Sequence, residues 1–201
     1  KDEITWKSSN TKVATVNSTG VVTAKAKGTA VITVSCGKYS ATCKITVKNP
    51  SLTLNKKSTT LYKGTRTTLK ASVKGVDASK VTFTSSNTKV VTVNKSTGKI
   101  VAKAAGKAVI TVKCGSLKTS CTVTVKNPTL KLAKTSASIK VGKKTTIKPK
   151  ATPSGTIKYT SSNKKIATVS SKGVVTGKKK GTAKITVTCN GVSKTFKVTV
   201  K

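Results

Sequence analysis

One internal repeat, met three times, limits what this chain can fold into. "WKSSNTKVATV" at 6–16 returns as "FTSSNTKVVTV" at 83–93 and as "YTSSNKKIATV" at 159–169. Further on, "GTAVITVSC" (28–36), "GKAVITVKC" (106–114) and "GTAKITVTC" (181–189) align, and each copy closes on "ITVK" or "VTVK". A period of about 76 residues marks a structural unit, not a local motif. Upstream of the shared part, "LTLNKKSTTLYKGTRTTLKASV" (52–73) matches "LKLAKTSASIKVGKKTTIKPKA" (130–151), and the first copy has no such segment. The chain therefore divides into an incomplete module at 1–50, lacking its first strands, and two complete modules at 51–128 and 129–201.

Within a module, short stretches alternate apolar and polar residues between Gly, Asn and Ser, which is the pattern of half-buried strands. Val, Ile and Thr dominate, aromatics make up only 3% of the chain, and no helical period is visible. In "TAVITVSC", Ala30, Ile32 and Val34 share one face and Val31 and Thr33 the other. The third copy agrees in phase: Ala183, Ile185 and Val187 stay apolar while Lys184 takes the outward place. About seven such strands per module predict an all-β fold of tandem immunoglobulin-like antiparallel sandwiches. Trp6, Phe83 and Tyr159 open the same strand in each copy and are expected at equivalent buried positions. Packing explains them; stacking on a sugar is the alternative.

The repeated pattern "L.L…G…L.A…(W/F/Y).SSN..(V/I)ATV…G.VTA…G.A.ITV" resembles the bacterial immunoglobulin-like domain, group 2, of invasin- and intimin-type surface proteins. That resemblance implies extracellular arrays in adhesins, cell-wall proteins, secreted polysaccharide enzymes or phage tail proteins, and carries no catalytic motif. It places the chain outside the cell, on a bacterial surface or secreted. The abrupt start "KDEITW", with no signal peptide, is read as that of a fragment of something longer. Without its first strands, module 1 is expected to be frayed or completed by a neighbouring chain through strand addition. "TVKNPSLTL" (46–54) and "TVKNPTLKL" (124–132) join the modules through Asn-Pro, and proline restricts both itself and the residue before it. An extended, semi-rigid array follows.

Charge and residue types narrow the chemistry. The chain has 41 Lys+Arg, 3 Asp+Glu and no His, a formal charge of +38, and no acidic side chain after Asp77. General acid–base catalysis, catalytic triads and most metal sites need histidine or paired carboxylates. Asp2 and Glu3 are neighbours that would point to opposite faces of a strand, and Asp77 stands alone. No glycosidase pair, calcium site or phosphate-cradling glycine loop can be assembled. The reading is non-enzymatic, without metal or cofactor, and no run of about 18 apolar residues is present to span a membrane.

Five cysteines remain. Cys36/Cys43 and Cys114/Cys121 share a seven-residue offset across an expected hairpin, and in the third copy the pair becomes Cys189/Phe196. Export favours two intramodular disulfides with Cys189 as a free buried thiol. A tight turn through Asn190-Gly191 argues the other way, since it would set the two positions four residues out of register. Both readings stand at this point.

The lysine run Lys178-Lys179-Lys180 aligns with Lys25-Ala26-Lys27 and Lys103-Ala104-Ala105, so only its first lysine recurs. It reads as a solvated basic loop, and Lys25, Lys103, Lys178, Lys179 and Lys180 together offer at most diffuse contact to polyanions. The charge as a whole attracts anionic polymers: teichoic acid, lipopolysaccharide, mucins, and sulfated or sialylated glycans, with nucleic acid only non-specifically. Three functional readings follow: a structural stalk, a polyanion-binding adhesive or wall-binding module, and an accessory part of a secreted polysaccharide enzyme or phage tail.

Overall fold

The computed structural model describes residues 3–201; Asp2, expected to point away from Glu3, lies outside the described residues. Module 1 contains β1 (Ile4–Ser8), β2 (Ala14–Val16), β3 (Val22–Ala24), β4 (Gly28–Cys36) and β5 (Tyr39–Val47). Module 2 contains β6 (Ser51–Leu54), β7 (Ser58–Tyr62), β8 (Arg66–Thr68) and β9 (Ala71–Lys74), a 3-10 turn at Ala78–Lys80, then β10 (Thr82–Ser85), β11 (Val91–Val93), β12 (Lys99–Ala102), β13 (Gly106–Cys114) and β14 (Leu117–Lys126). Module 3 repeats it with β15 (Thr129–Leu132), β16 (Ser136–Ile139), β17 (Lys144–Thr146), β18 (Pro149–Thr152), β19 (Lys158–Ser161), β20 (Ala167–Val169), β21 (Val174–Gly177), β22 (Gly181–Cys189) and β23 (Val192–Val200).

Each complete module is a sandwich of two principal sheets. In module 2 one runs β10-β13-β14-β7 and the other β11-β12-β8, with β6-β9 as a short flanking pair. Module 3 matches it with β19-β22-β23-β16, β20-β21-β17 and β15-β18. All pairs are antiparallel except β7 with β14 and β16 with β23, which run parallel. Nine strands form in each complete module where about seven were expected, because two runs each serve two sheets: β6 and β7 part between the flanking pair and the larger sheet. Residues 66–74 break at Leu69-Lys70: β8 pairs with β12 and β9 with β6. Leu69 at the break is buried, and its N–H donates to the Gly98 carbonyl. Among the described residues, module 1 contributes β1-β4-β5 and β2-β3.

The predicted strand phase holds. Ala108, Ile110 and Val112 are buried on β13, as are Ala183, Ile185 and Val187 on β22, while Lys184 faces solvent. Module 2 closes over Leu69, Phe83, Val91, Ile100, Ile110 and Val123. Module 3 closes over Leu130, Ile147, Val175, Ile185, Phe196 and Val198. In module 1 the buried cluster shrinks to Val13, Ala14 and Ala30, with Ile45 and Val47 packed against it. Burial of apolar surface is the main favourable term in folding, and the described residues of the first module bury the least of it.

The repeated Ser-Ser-Asn acts as a staple. The Ser8 and Ser161 hydroxyls donate to the carbonyls of Ala14 and Ala167. Asn10, Asn87 and Asn163 accept from the backbone two residues on, closing a tight loop. The middle serine bridges to the long strand. Ser9, Ser86 and Ser162 each donate N–H to the carbonyl, and accept on Oγ the N–H, of Val31, Val109 and Lys184 respectively.

Candidate functional site

The lysine run was the sharpest candidate, and its backbone is the same in all three modules. Lys178 and Lys179 both donate N–H to the Ile166 carbonyl, as Lys25 and Ala26 do to Val13, and Lys103 and Ala104 to Val90. The bend is thus made whether the sequence reads Lys-Lys-Lys, Lys-Ala-Lys or Lys-Ala-Ala. Lys25, Lys103, Lys178, Lys179 and Lys180 are all exposed. The fold gives each loop one shape and none of the five lysines a built anion pocket.

Several lysines of the strands face one another across the sheets. Lys113 stands directly opposite Lys118, Lys131 opposite Lys150 and Lys184 opposite Lys197. Directly opposed like charges destabilise a sheet by a few tenths of a kcal/mol or more, and no carboxylate follows Asp77 to relieve them. Asp77 itself is engaged, accepting the Ser79 N–H to cap the 3-10 turn, and these hydrogen bonds to Ser79 hold its carboxyl below the usual range.

The hairpin register decides between the two cysteine readings. Cys114 faces Leu117 and Cys121 faces Ile110; Cys36 faces Tyr39 and Cys43 faces Ile32. Each pair is displaced by four residues, about 13 Å along the strand, well beyond the roughly 7 Å that a disulfide tolerates between Cα atoms. The expected Cys36–Cys43 and Cys114–Cys121 disulfides are corrected accordingly. The cause is the two-residue turn: Gly37-Lys38 and Gly115-Ser116 close the hairpins, with Gly37 at φ 55° and Gly115 at φ 58°, and in module 3 Asn190 at φ 50° and Gly191 at φ 76° close the same turn, a left-handed pair that matches hairpin twist. Cys114, Cys121 and Cys189 are buried thiols, and Cys114 donates through sulfur to the Asp77 carbonyl at 3.3 Å.

Burial pushes the Cys121 thiol above its ordinary range, partly offset by the Lys56 ammonium. The stabilisation tied to the neutral thiol is complete below the unfolded-state pKa, about 8.5. It is lost as pH rises through the higher folded-state value. Module 2 should therefore weaken in alkali more than a Cys121→Val variant does. Denaturant midpoints at about pH 7 and above the ordinary thiol pKa check this; parallel pH dependence of the two proteins would refute it.

The aromatic positions correspond but are not equally covered. Trp6, Phe83 and Tyr159 pair with Val34, Val112 and Val187 at one register and lie over Gly20, Gly98 and Gly173. Phe83 is 4% exposed, whereas Trp6 and Tyr159 are half-buried, a departure from the expected equal burial. The Tyr159 hydroxyl reaches past the ring to the Gly173 position at the rim, and desolvation raises its pKa. Among the described residues, no counterpart of Leu69 or Ile147 stands above Trp6. Tyr39, 72% exposed with the Lys38 ammonium 5.5 Å from its ring centroid, attracted no attention in the sequence.

A groove of about 540 Å³ beside β15 is lined by Leu130, Leu132, Val192, Lys194 and Thr195 among others. Its lining carries lysine and threonine side chains and no carboxylate, imidazole or thiol. Among the described residues, no three His, Cys, Asp or Glu side chains come together, and no helix is long and apolar enough to cross a membrane.

Comparison with known proteins agrees with this architecture. The model of the bacterial Ig-like domain (group 2) matches residues 49–125 and 124–200, and that of a bacterial Ig-like domain matches residues 2–49. The chain belongs to the bacterial Ig-like domain (group 2) family. No curated protein matches it. Among solved structures it is similar to the S-layer protein rSbsC, at 22% identity and TM-score 0.42 over 100% of this chain and 35% of that one. The I9-I11 tandem from titin aligns at 12% identity and TM-score 0.48 over 99% of this chain and 89% of that one. A C-terminal intimin fragment, crystallised with the intimin-binding domain of its translocated receptor, aligns at 17% and TM-score 0.37 over 67% and 56%. The chain spans about a third of the S-layer chain it matches.

Proposed function

We propose that this chain is a non-enzymatic, load-bearing stalk of an extracellular bacterial protein, on the cell surface or secreted. The observation that carries the reading is the parallel pairing of β7 with β14 and of β16 with β23. Tension enters a module at its first strands and leaves at its last. Once the short β6 or β15 peels away, the load falls along a parallel pair and shears its hydrogen bonds together instead of opening them one by one. Two complete modules carry this arrangement in series, joined through Asn49-Pro50 and Asn127-Pro128.

Pulling single molecules by their ends tests the stalk. Two high-force events are expected, each releasing about 250 Å of chain for ~75 residues at about 3.3–3.6 Å per residue. Module 1, whose described strands include no parallel pair, should yield earlier and at lower force. Three events of equal force, or none above the noise, would overturn the reading.

The unrelieved lysine pairs favour a second reading, in which the same surface adheres to anionic polymers through delocalised charge. Heparin and teichoic acid should then bind comparably and weaken steeply with salt. Neutralising Lys178, Lys179 and Lys180 to glutamine should weaken both by a similar, small factor. Loss of one polymer alone would mean a specific site at the lysine run.

A further inference from the structure

In each complete module, two strands that follow one another in sequence end opposite sheets. In module 3, β16 is the last strand of one sheet and β17 of the other, and a cleft of about 570 Å³ opens between them. Lys134, Lys144 and Lys148 line it together with the hydroxyl side chains of Ser136, Ser138 and Thr146. Phe196 and Ile147 form its buried side. All six polar residues are exposed, and the lining carries no carboxylate. A cavity of this size takes a small ligand.

Module 2 repeats this set and little of the charge around it. Between the matched segments 52–73 and 130–151, three cationic positions coincide: Lys56 with Lys134, Arg66 with Lys144 and Lys70 with Lys148. They are the three of the cleft. Elsewhere in these segments the charge is not kept: Lys57 meets Thr135, Lys63 meets Val141 and Lys143 meets Thr65. The hydroxyls coincide too, at Ser58, Thr60 and Thr68. β7 and β8 likewise end their sheets. The Lys56 ammonium stands near enough to Cys121, the counterpart of Phe196, for its charge to act on that thiol. The lysine run fails the test of recurrence, and this cluster passes it.

We propose that the cleft between β16 and β17, with its counterpart between β7 and β8, is a built site for a tetrahedral oxyanion, a sulfate or phosphate group carried on an anionic polymer. The proposal rests on the polyanion reading above and gives it a location. Ammonium and hydroxyl groups all donate to such a group, and hydrogen bonds to an ionised partner are about twice as strong as neutral ones. Lysine, a compact charge with three donors, suits an anion that needs no planar fork.

Calorimetry on the full chain at 0.15 M salt, where diffuse attraction is largely screened, tests the site. The probes are a heparin tetrasaccharide, for sulfate, and a glycerol-phosphate tetramer, for phosphate. Two variants remove six charges each. One replaces Lys56, Arg66, Lys70, Lys134, Lys144 and Lys148 with glutamine, the other Lys25, Lys27, Lys103, Lys178, Lys179 and Lys180. The cleft variant should weaken binding at least about tenfold, since hydrogen bonds to charged groups are the larger ones. The loop variant should weaken it no more than about threefold, as exposed charges do. Arginine at the five cleft lysines keeps charge and donors, and should hold binding within about threefold of the parent. Binding of one oligomer and not the other supports the site and names its source. Equal weakening by the two six-charge variants would overturn the cleft and leave the diffuse reading standing. No binding of either oligomer by the parent chain would overturn both.

Discussion

Replacing Phe83 with alanine is expected to destabilise module 2 by about 3–5 kcal/mol, the usual cost of emptying a buried ring site. The ring is 4% exposed, pairs opposite Val112 and lies against Gly98. Ile100 and Val112 of the same cluster lie on β12 and β13, one in each sheet, and Leu69 at the break between β8 and β9, so no single strand can move in to fill the space. For a domain of this size each kcal/mol lowers the melting temperature by about 4–8 °C. Hydrogen exchange at the β13 and β14 amides separates this module from its neighbours: protection should collapse there and persist on β22 and β23. Unchanged protection in module 2 would mean that Phe83 is not a core anchor.

A second large effect is expected at Gly98. Its φ of 65° is left-handed, and an added Cβ would stand against the Leu69 carbonyl oxygen and 3.0 Å from the Phe83 ring. The conformation alone costs an alanine about 1–2 kcal/mol. Gly115 is the internal control, with φ 58° and nothing within 4 Å of an added Cβ. Moving the Leu69 backbone also strains its N–H bond to the Gly98 carbonyl, 3.0 Å long, worth about 1 kcal/mol or more. With about 1–3 kcal/mol more for overpacking against the ring and carbonyl, Gly98→Ala should therefore cost about 3–6 kcal/mol and Gly115→Ala no more than about 2. Equal losses in urea midpoints would place the whole effect in backbone strain and discard the steric account.

The comparison of sequence with structure divides along a physical line. Periodicity of two specified which residues face inward, because a one-residue slip would turn Lys184 into the core and Ile185 into water. The hairpin register was also legible, since Asn190-Gly191 suits a two-residue turn, but it competed with an equally regular cysteine spacing. Turn geometry won: a tight hairpin leaves no freedom to slide four residues. What the pattern could not carry was the crossing of residues 66–74 between sheets. Alternation looks the same on either side of Leu69-Lys70, and only the pairing partners differ. The unequal cover of Trp6, Phe83 and Tyr159 was likewise hidden, because it depends on strands distant in sequence. Of the proposed binding residues, the lysine run was readable as an ordinary loop from its own repeats, whereas the opposed lysine pairs emerge only once strands are set side by side.

The serine staple has a consequence for how such an array can diversify. Ser9, Ser86 and Ser162 hold the facing strand wholly through its main chain, at Val31, Val109 and Lys184. The attachment is indifferent to the side chain it grips. Valine and lysine already occupy that place within one chain, and the same latitude extends to outward positions whose side chains hold nothing together. A surface of this kind can take any charge or texture without renegotiating the fold, and a coat with 41 basic and 3 acidic residues sits over the same frame as any other would.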